Sequence, residues 1–151
     1  MSYTLQILPV NDSSASFYKD CKLNNENAGF DLFVPADTVF APGEKKLVSM
    51  NVKATLTNYF GSNVHYWMLP RSSISKTGLM LCNSVGVIDR TYRGELMAFL
   101  WNTTESPVTV SKGSRLVQIV APDMGWIHAV EVVNELDHTE RGEGGFGSTG
   151  R

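Results

Sequence analysis

Cysteine is scarce in this 151-residue chain, and the two present, Cys21 and Cys82, fit reduced thiols better than a disulfide framework. The three histidines, His65, His128 and His138, share no metal-ligand spacing with one another or with the cysteines. No apolar run approaches the roughly 20 residues that a membrane span needs. The opening stretch, MSYTLQILPV, has neither the basic segment nor the long apolar core of a secretory signal. These absences predict an intracellular protein, cytoplasmic or nuclear, with no membrane partner. Charge of one sign is also missing: the net charge is −2, which argues against a broad nucleic-acid surface but leaves room for a small basic pocket that holds an anion. No segment carries a helical apolar stripe longer than a turn or two, and no internal repeat is visible.

What the chain does contain is short β-patterned segments separated by turn residues. Leu5 and Ile7 share a face in Tyr3–Val10. Asn11–Asn27 is polar and irregular, and Gly29–Val34 is apolar apart from Asp31. From Val48 to Thr57 the alternation is complete and predicts one long half-buried strand, with Val48, Met50, Val52, Ala54 and Leu56 inward. Val64, Tyr66 and Met68 alternate again, and Leu96–Asn102 is apolar on both faces, as a strand inside a packed sheet would be. Val108–Val110, Arg115–Ala121 and Ile127–Val133 complete the set. Short strands with Gly, Pro and Asn turns at regular intervals predict an all-β sandwich or barrel, and 151 residues make one domain.

The stretch Gly86–Glu95, GVIDRTYRGE, drives an apolar run into a carboxylate and then into Tyr92, Arg93 and Gly94. Its pattern predicts a β-hairpin bending around Asp89–Gly94. In an isolated hairpin Asp89 would serve the turn; held at a dry edge within a polar constellation, it could act as a base. Several polar groups elsewhere offer such a constellation. Pro70-Arg71-Ser72-Ser73 sets an arginine beside two hydroxyls at a turn, with Lys76 close by. Asp31 and Gln118 each interrupt an apolar strand. The last residues, RGEGGFGSTGR, form a glycine-rich arm in which Arg141, Ser148 and Thr149 could bind an anion and Phe146 could stack on a flat ring. The dinucleotide fingerprint formally present there, Gly142-x-Gly144-x-x-Gly147, has no helix to follow it.

Taken in order, Ala28–Leu32, Pro70–Gly78, Gly86–Glu95, Arg115–Ile119 and Arg141–Gly150 resemble the five motifs of the homotrimeric dUTPases. The resemblance runs from about residue 28 to the C-terminus. It implies a jelly-roll-like β-barrel over residues 1–140 and a flexible phosphate-binding arm over residues 141–151 of the same domain. It also implies a homotrimer whose active sites are shared between subunits, with the second and fourth motifs from one subunit, the third from a neighbour and the arm from the remaining one. The implied reaction is hydrolysis of dUTP to dUMP and diphosphate, which keeps uracil out of DNA and supplies dUMP for dTMP synthesis. By the same resemblance, Asp89 deprotonates the attacking water and Tyr92 lies against the deoxyribose. Asn83, Gly86, Val87, Ile88 and Met97 read the uracil. Arg71, Ser72, Ser73 and Gln118 hold the phosphates, and Asp31 positions a hydrated Mg²⁺ through water. Arg141, Phe146, Gly147, Ser148 and Thr149 close over the substrate.

The chain departs from the family pattern at Ser73, where glycine is usual, and at Thr91, where a second aspartate is frequent. Its second-motif loop is one residue shorter than in common cellular enzymes and looks more like the retroviral members. A dCTP deaminase of the same fold is the enzymatic alternative. It would need a glutamate where this chain has Phe99, and its arginine corresponds to Lys76. A non-catalytic dUTPase-like binding module is the other alternative, and such a protein should have lost Asp89 or the arm, both of which are intact.

Overall fold

A computed structural model describes residues 2–144 of the protein. Its regular structure is almost entirely β, as the turn-punctuated sequence predicts. Thirteen strands run in chain order: β1 (Ser2–Pro9), β2 (Gly29–Asp31), β3 (Thr38–Phe40), β4 (Lys45–Ser49), β5 (Val52–Thr57), β6 (Asn63–Val64), β7 (Tyr66–Pro70), β8 (Leu79–Leu81), β9 (Gly86–Ile88), β10 (Met97–Asn102), β11 (Val108–Val110), β12 (Val117–Val120) and β13 (Trp126–Val132). They form four sheets, ordered β13-β1-β5-β6, β4-β10-β8, β11-β3 and β2-β12-β7-β9. The sheets are not hydrogen-bonded into one closed ring, so the architecture is a jelly-roll-like barrel of separate sheets around one core. Leu5, Ile7, Leu32, Phe40, Leu56, Leu100 and Ile119, drawn from every sheet or its flanks, are fully buried within it.

Two expectations are corrected. The long strand over Val48–Thr57 is two strands in different sheets. The five residues expected inward, Val48, Met50, Val52, Ala54 and Leu56, are all buried, and Thr55, expected on the outward face, is buried as well. The break comes at Asn51, whose φ of 55° turns the chain, and the gap is bridged by Met50 N–H to the Leu96 carbonyl and Leu96 N–H to the Val52 carbonyl, both 2.8 Å. Alternation reports which side chains are inward; it is blind to a backbone that changes sheets while keeping that face inward.

The hairpin around Asp89–Gly94 is likewise not a paired hairpin. β9 pairs antiparallel with β7, whereas β10 pairs with β4 and β8. Residues 89–96 therefore carry the chain from one sheet to another, and Asp89 sits where β9 ends.

β10 is the centre of its sheet, yet the described residues cover only one of its faces. Ala98, Leu100 and Asn102 are buried, while Phe99 and Trp101 are exposed beside Leu47 and Met80, their partners in register on β4 and β8. Asn102 explains why a polar residue can end a buried strand. Its Nδ2 donates to the carbonyls of Phe40, Ala41 and Ser106 at 2.8–3.2 Å, and its Oδ1 accepts from the Thr104 amide and hydroxyl. A fully buried, fully bonded side chain is useful as a staple between loops.

The irregular segment 11–27 contains a single helical turn, Asp12–Ala15, capped by Asn11, whose side chain accepts the Ser14 N–H at 2.8 Å. Tyr18 anchors the segment in the core, and its oxygen accepts the Phe33 N–H. Burial pushes its phenol up to about 12, so it stays neutral and structural.

Candidate active site

Sheet register gathers the first polar cluster. Gln118 lies opposite Asp31 across β12 and β2, and Val117 lies opposite Pro70 across β12 and β7. Asp31, Gln118 and Arg71 thus emerge at one edge, where Arg71 N–H donates to the Leu116 carbonyl. The Arg71 Nε meets Asp31 Oδ1 at 2.9 Å, and Arg115 Nη1 approaches Oδ2 at 3.4 Å. Arg71 Nη1 also donates to Ser73 Oγ and to the Arg115 carbonyl. Ser72 and Lys76 stand exposed on the short 3₁₀ helix Ser72–Lys76. Two guanidinium groups against one carboxylate leave a local positive excess, the condition for holding an anion. Gln118 lies across Gly29, where any Cβ would collide with its side-chain amide, and its Nε2 donates to the Pro70 carbonyl at 3.3 Å.

The second cluster forms where β9 ends. Asp89 is about half exposed within the chain, so its edge is not dry in a single chain. Arg141 Nη1 binds Asp89 Oδ2, and the Arg141 guanidinium lies 5.3 Å from the centre of the Tyr92 ring. His65 Nδ1 stands 3.8 Å from Asp89 Oδ1 and accepts the Arg90 N–H at 2.9 Å. Gly86 is buried in β9, where a side chain would press on the Met68 carbonyl and approach the Asn83 amide. Val87 and Ile88 follow it along the strand. The Cys82 N–H to Phe99 carbonyl bond extends the β8–β10 register, which brings Asn83 up beside the start of β10, where Met97 stands.

Tyr92 folds back so that its hydroxyl donates to the Glu95 carbonyl at 2.7 Å. Only a glycine at position 94 permits this, because a Cβ there would run into the Tyr92 ring and hydroxyl. Burial pushes the phenol up, and Glu95 and Glu143 add to this against the lowering effect of Arg141, so the group remains a neutral donor. Beneath it, Arg93 is buried and donates to the Asp137 carboxylate through Nε and Nη2 at 2.9 and 2.7 Å, and to the Arg90 and Tyr92 carbonyls through Nη1. Burial works against the Asp137 carboxylate, but the bonds from Asn63 and Arg93 outweigh it and hold its pKa below the usual range.

These ties set the start of the arm beside the hairpin segment of its own chain, whereas the resemblance implies that at each site the arm and the third motif come from different subunits. Arg93 N–H donates to the Gly142 carbonyl, Thr139 Oγ1 to the Thr91 carbonyl, and Arg141 meets Asp89 of the same chain. The cause is β13, which runs parallel to β1 and delivers residues 133–140 to this edge. Phe146, Gly147, Ser148 and Thr149 lie outside the described residues.

Among the described residues the two clusters stand apart. His65 precedes β7 and Arg71 follows it, so six residue steps of extended chain, roughly 20 Å, separate them. Sequence reasoning did not single out His65, Arg115, Gly29 or the Arg93–Asp137 tie. Each acquires its partner through register or chain reversal, and no local spacing signals that. Among the described residues no three His, Cys, Asp or Glu side chains cluster as metal ligands would. Asp31 is a single carboxylate already paired with two arginines. That donor set fits a hydrated Mg²⁺ carried largely by substrate phosphates, and not one caged by protein.

Comparison with known proteins points to one family. The dUTPase family model matches residues 20–150. A deoxyuridine 5'-triphosphate nucleotidohydrolase of Pseudomonas paraeruginosa is 38% identical over 127 residues, covering 82% of each chain. One from Corynebacterium efficiens is 39% identical over 127 residues, covering 83% of this chain and 67% of its own. Among solved structures, a dUTPase from Streptococcus mutans is 34% identical and superposes with a TM-score of 0.57 over 66% of this chain and 80% of its own. A Staphylococcus bacteriophage 80alpha dUTPase solved with dUpNHpp shares the fold at a TM-score of 0.64, with 22% identity and 98% and 99% coverage. A match of this extent, with Asp89, Tyr92, Arg71 and Gln118 standing where the fold brings their motifs to the sheet edges, makes this chain a member of the dUTPase family.

Proposed function

We propose that this dUTPase hydrolyses dUTP to dUMP and diphosphate by water attack on the α-phosphorus, with Asp89 as general base. The observation that carries this is Asp89 itself, a half-exposed carboxylate with one oxygen held by Arg141 and the other, Oδ1, 3.8 Å from His65 Nδ1. Oδ1 takes the proton as the water attacks in line, and the Pα–O bond to diphosphate breaks on the opposite side. Arg71 and Arg115, with Ser72, Ser73 and Gln118, bind the phosphate oxygens and stabilise the charge that develops there. Asp31 would hold a hydrated Mg²⁺ through water, and the ion when bound would neutralise triphosphate charge. Asn83, Gly86, Val87, Ile88 and Met97 line the base pocket, and Arg141 with Phe146, Gly147, Ser148 and Thr149 closes it.

The distance between the clusters supports a site built from more than one copy. A triphosphate is shorter than roughly 20 Å of strand, which supports a site in which the Arg71 cluster of one chain meets the Asp89 cluster of another. The exposed Leu47, Met80, Phe99 and Trp101 face gives a homotrimer apolar surface to bury. Exchange or retention of the Arg141 arm leaves that support unchanged.

Incubation of the purified protein with dUTP and, separately, with dCTP, followed by separation of products, tests the activity. The expected products are dUMP and diphosphate from dUTP alone. Deaminated product from dCTP would identify a deaminase, and no turnover of either would identify a binding module.

Sugar selectivity follows from Gly94. Gly94→Ala forces the Tyr92 ring off its seat, and we expect the preference for dUTP over UTP, measured as the ratio of kcat/KM values, to fall by about tenfold. An unchanged ratio would remove Tyr92 from sugar selection.

A further inference from the structure

His65 lies between β6 and β7, more than half exposed, and belongs to none of the five motifs. Its Nδ1 accepts the Arg90 N–H at 2.9 Å. A ring nitrogen that accepts carries no proton, so the imidazole is the neutral tautomer with its hydrogen on Nε2. The bond is made to the residue next to Asp89, so the ring pins the backbone from which the carboxylate projects. The same Nδ1 lies 3.8 Å from Asp89 Oδ1, the oxygen that Arg141 leaves free.

We propose that His65 is a positioning residue for Asp89, and that its protonation decides which partner the ring serves. Neutral, it anchors Arg90 and leaves Oδ1 open to receive a proton from water. Protonated, Nδ1 becomes a donor. It can no longer accept the Arg90 N–H, and it turns to Oδ1, occupying the oxygen that the reaction needs. The charged groups that face this pair are Arg141, on Oδ2 of the carboxylate, and Asp89 itself; Arg90 contributes its main-chain N–H. The effect is a loss of turnover on the acid side that adds to protonation of the carboxylate. It rests on Asp89 being the general base.

The test is the pH dependence of kcat and KM for dUTP with the full-length wild type, His65→Ala, His65→Asn and Asp89→Asn proteins. His65→Ala removes the anchor, and we expect kcat near neutral pH to fall about tenfold with KM within about twofold, since a misplaced base loses rate and not affinity. His65→Asn puts an amide oxygen where Nδ1 stood, so it should recover most of that loss. It cannot become charged, so the acid limb of its kcat profile should move to lower pH than in the wild type. Wild-type kcat in His65→Ala would overturn the positioning role. Superimposable acid limbs in wild type and His65→Asn would overturn the protonation switch. Turnover retained by Asp89→Asn would instead remove the general base itself, an outcome separate from either. Far-UV circular dichroism and thermal melts of each variant confirm that the exposed substitutions leave the fold in place.

Discussion

Asp89→Asn is expected to lower kcat for dUTP by roughly 10²–10⁴-fold, the range that loss of a positioned general base spans. The amide keeps the side-chain shape and still offers Arg141 an oxygen to bind. It cannot accept a proton from water. Affinity for a non-hydrolysable dUTP analogue should therefore stay within about threefold of wild type, because the lost interaction belongs to the transition state. Single-turnover kinetics and calorimetric titration on the same preparations separate the two quantities. A variant with near-normal turnover would exclude Asp89 as the base. A variant that loses affinity in parallel with rate would mean that Asp89 organises the pocket through Arg141 and does not act on water.

Mixing two dead proteins should restore activity. Asp89→Asn chains keep the Arg71 cluster, and Arg71→Ala chains keep the Asp89 cluster. If each site joins one cluster from one subunit to the other cluster from the next around a ring, equal mixing with free exchange leaves about a quarter of the sites with both halves intact. The expected result is thus about a quarter of wild-type turnover from components that are each nearly inactive. Subunit exchange is verified beforehand with two tags that can be purified in sequence. No rescue after verified exchange would mean that each site is made within one chain. The measurement does not depend on which subunit supplies the arm, because both variants keep Arg141 and the residues after it.

The single polar residues were visible in the sequence because they break apolar patterns: Asp31 and Gln118 inside strands, Asp89 at the end of one. Their company was not visible. Arg115 reaches Asp31 across 84 positions of sequence, and Arg93 reaches Asp137 across 44. His65 has no metal spacing to mark it in the sequence, yet it faces Asp89 across the β7–β9 pairing. Glycine was legible as a turn-former and not as a seat: Gly29 lies under Gln118, and Gly94 under Tyr92. The alternation over Val48–Thr57 placed its five apolar residues inward correctly but hid the switch of sheet at Asn51.

Local chemistry written along the chain was therefore enough to specify an all-β domain, the inward faces of its strands and the order of its five motifs. Periodicity and turn residues act over a few positions, and a linear string carries them in full. Tertiary structure alone decided that residues 89–96 link two sheets, that the Arg141 segment returns to Asp89, and that the Arg71 and Asp89 clusters stand at opposite ends of β7. Those outcomes depend on which strand edges pair, and pairing is settled by the collective burial of many side chains from distant parts of the chain.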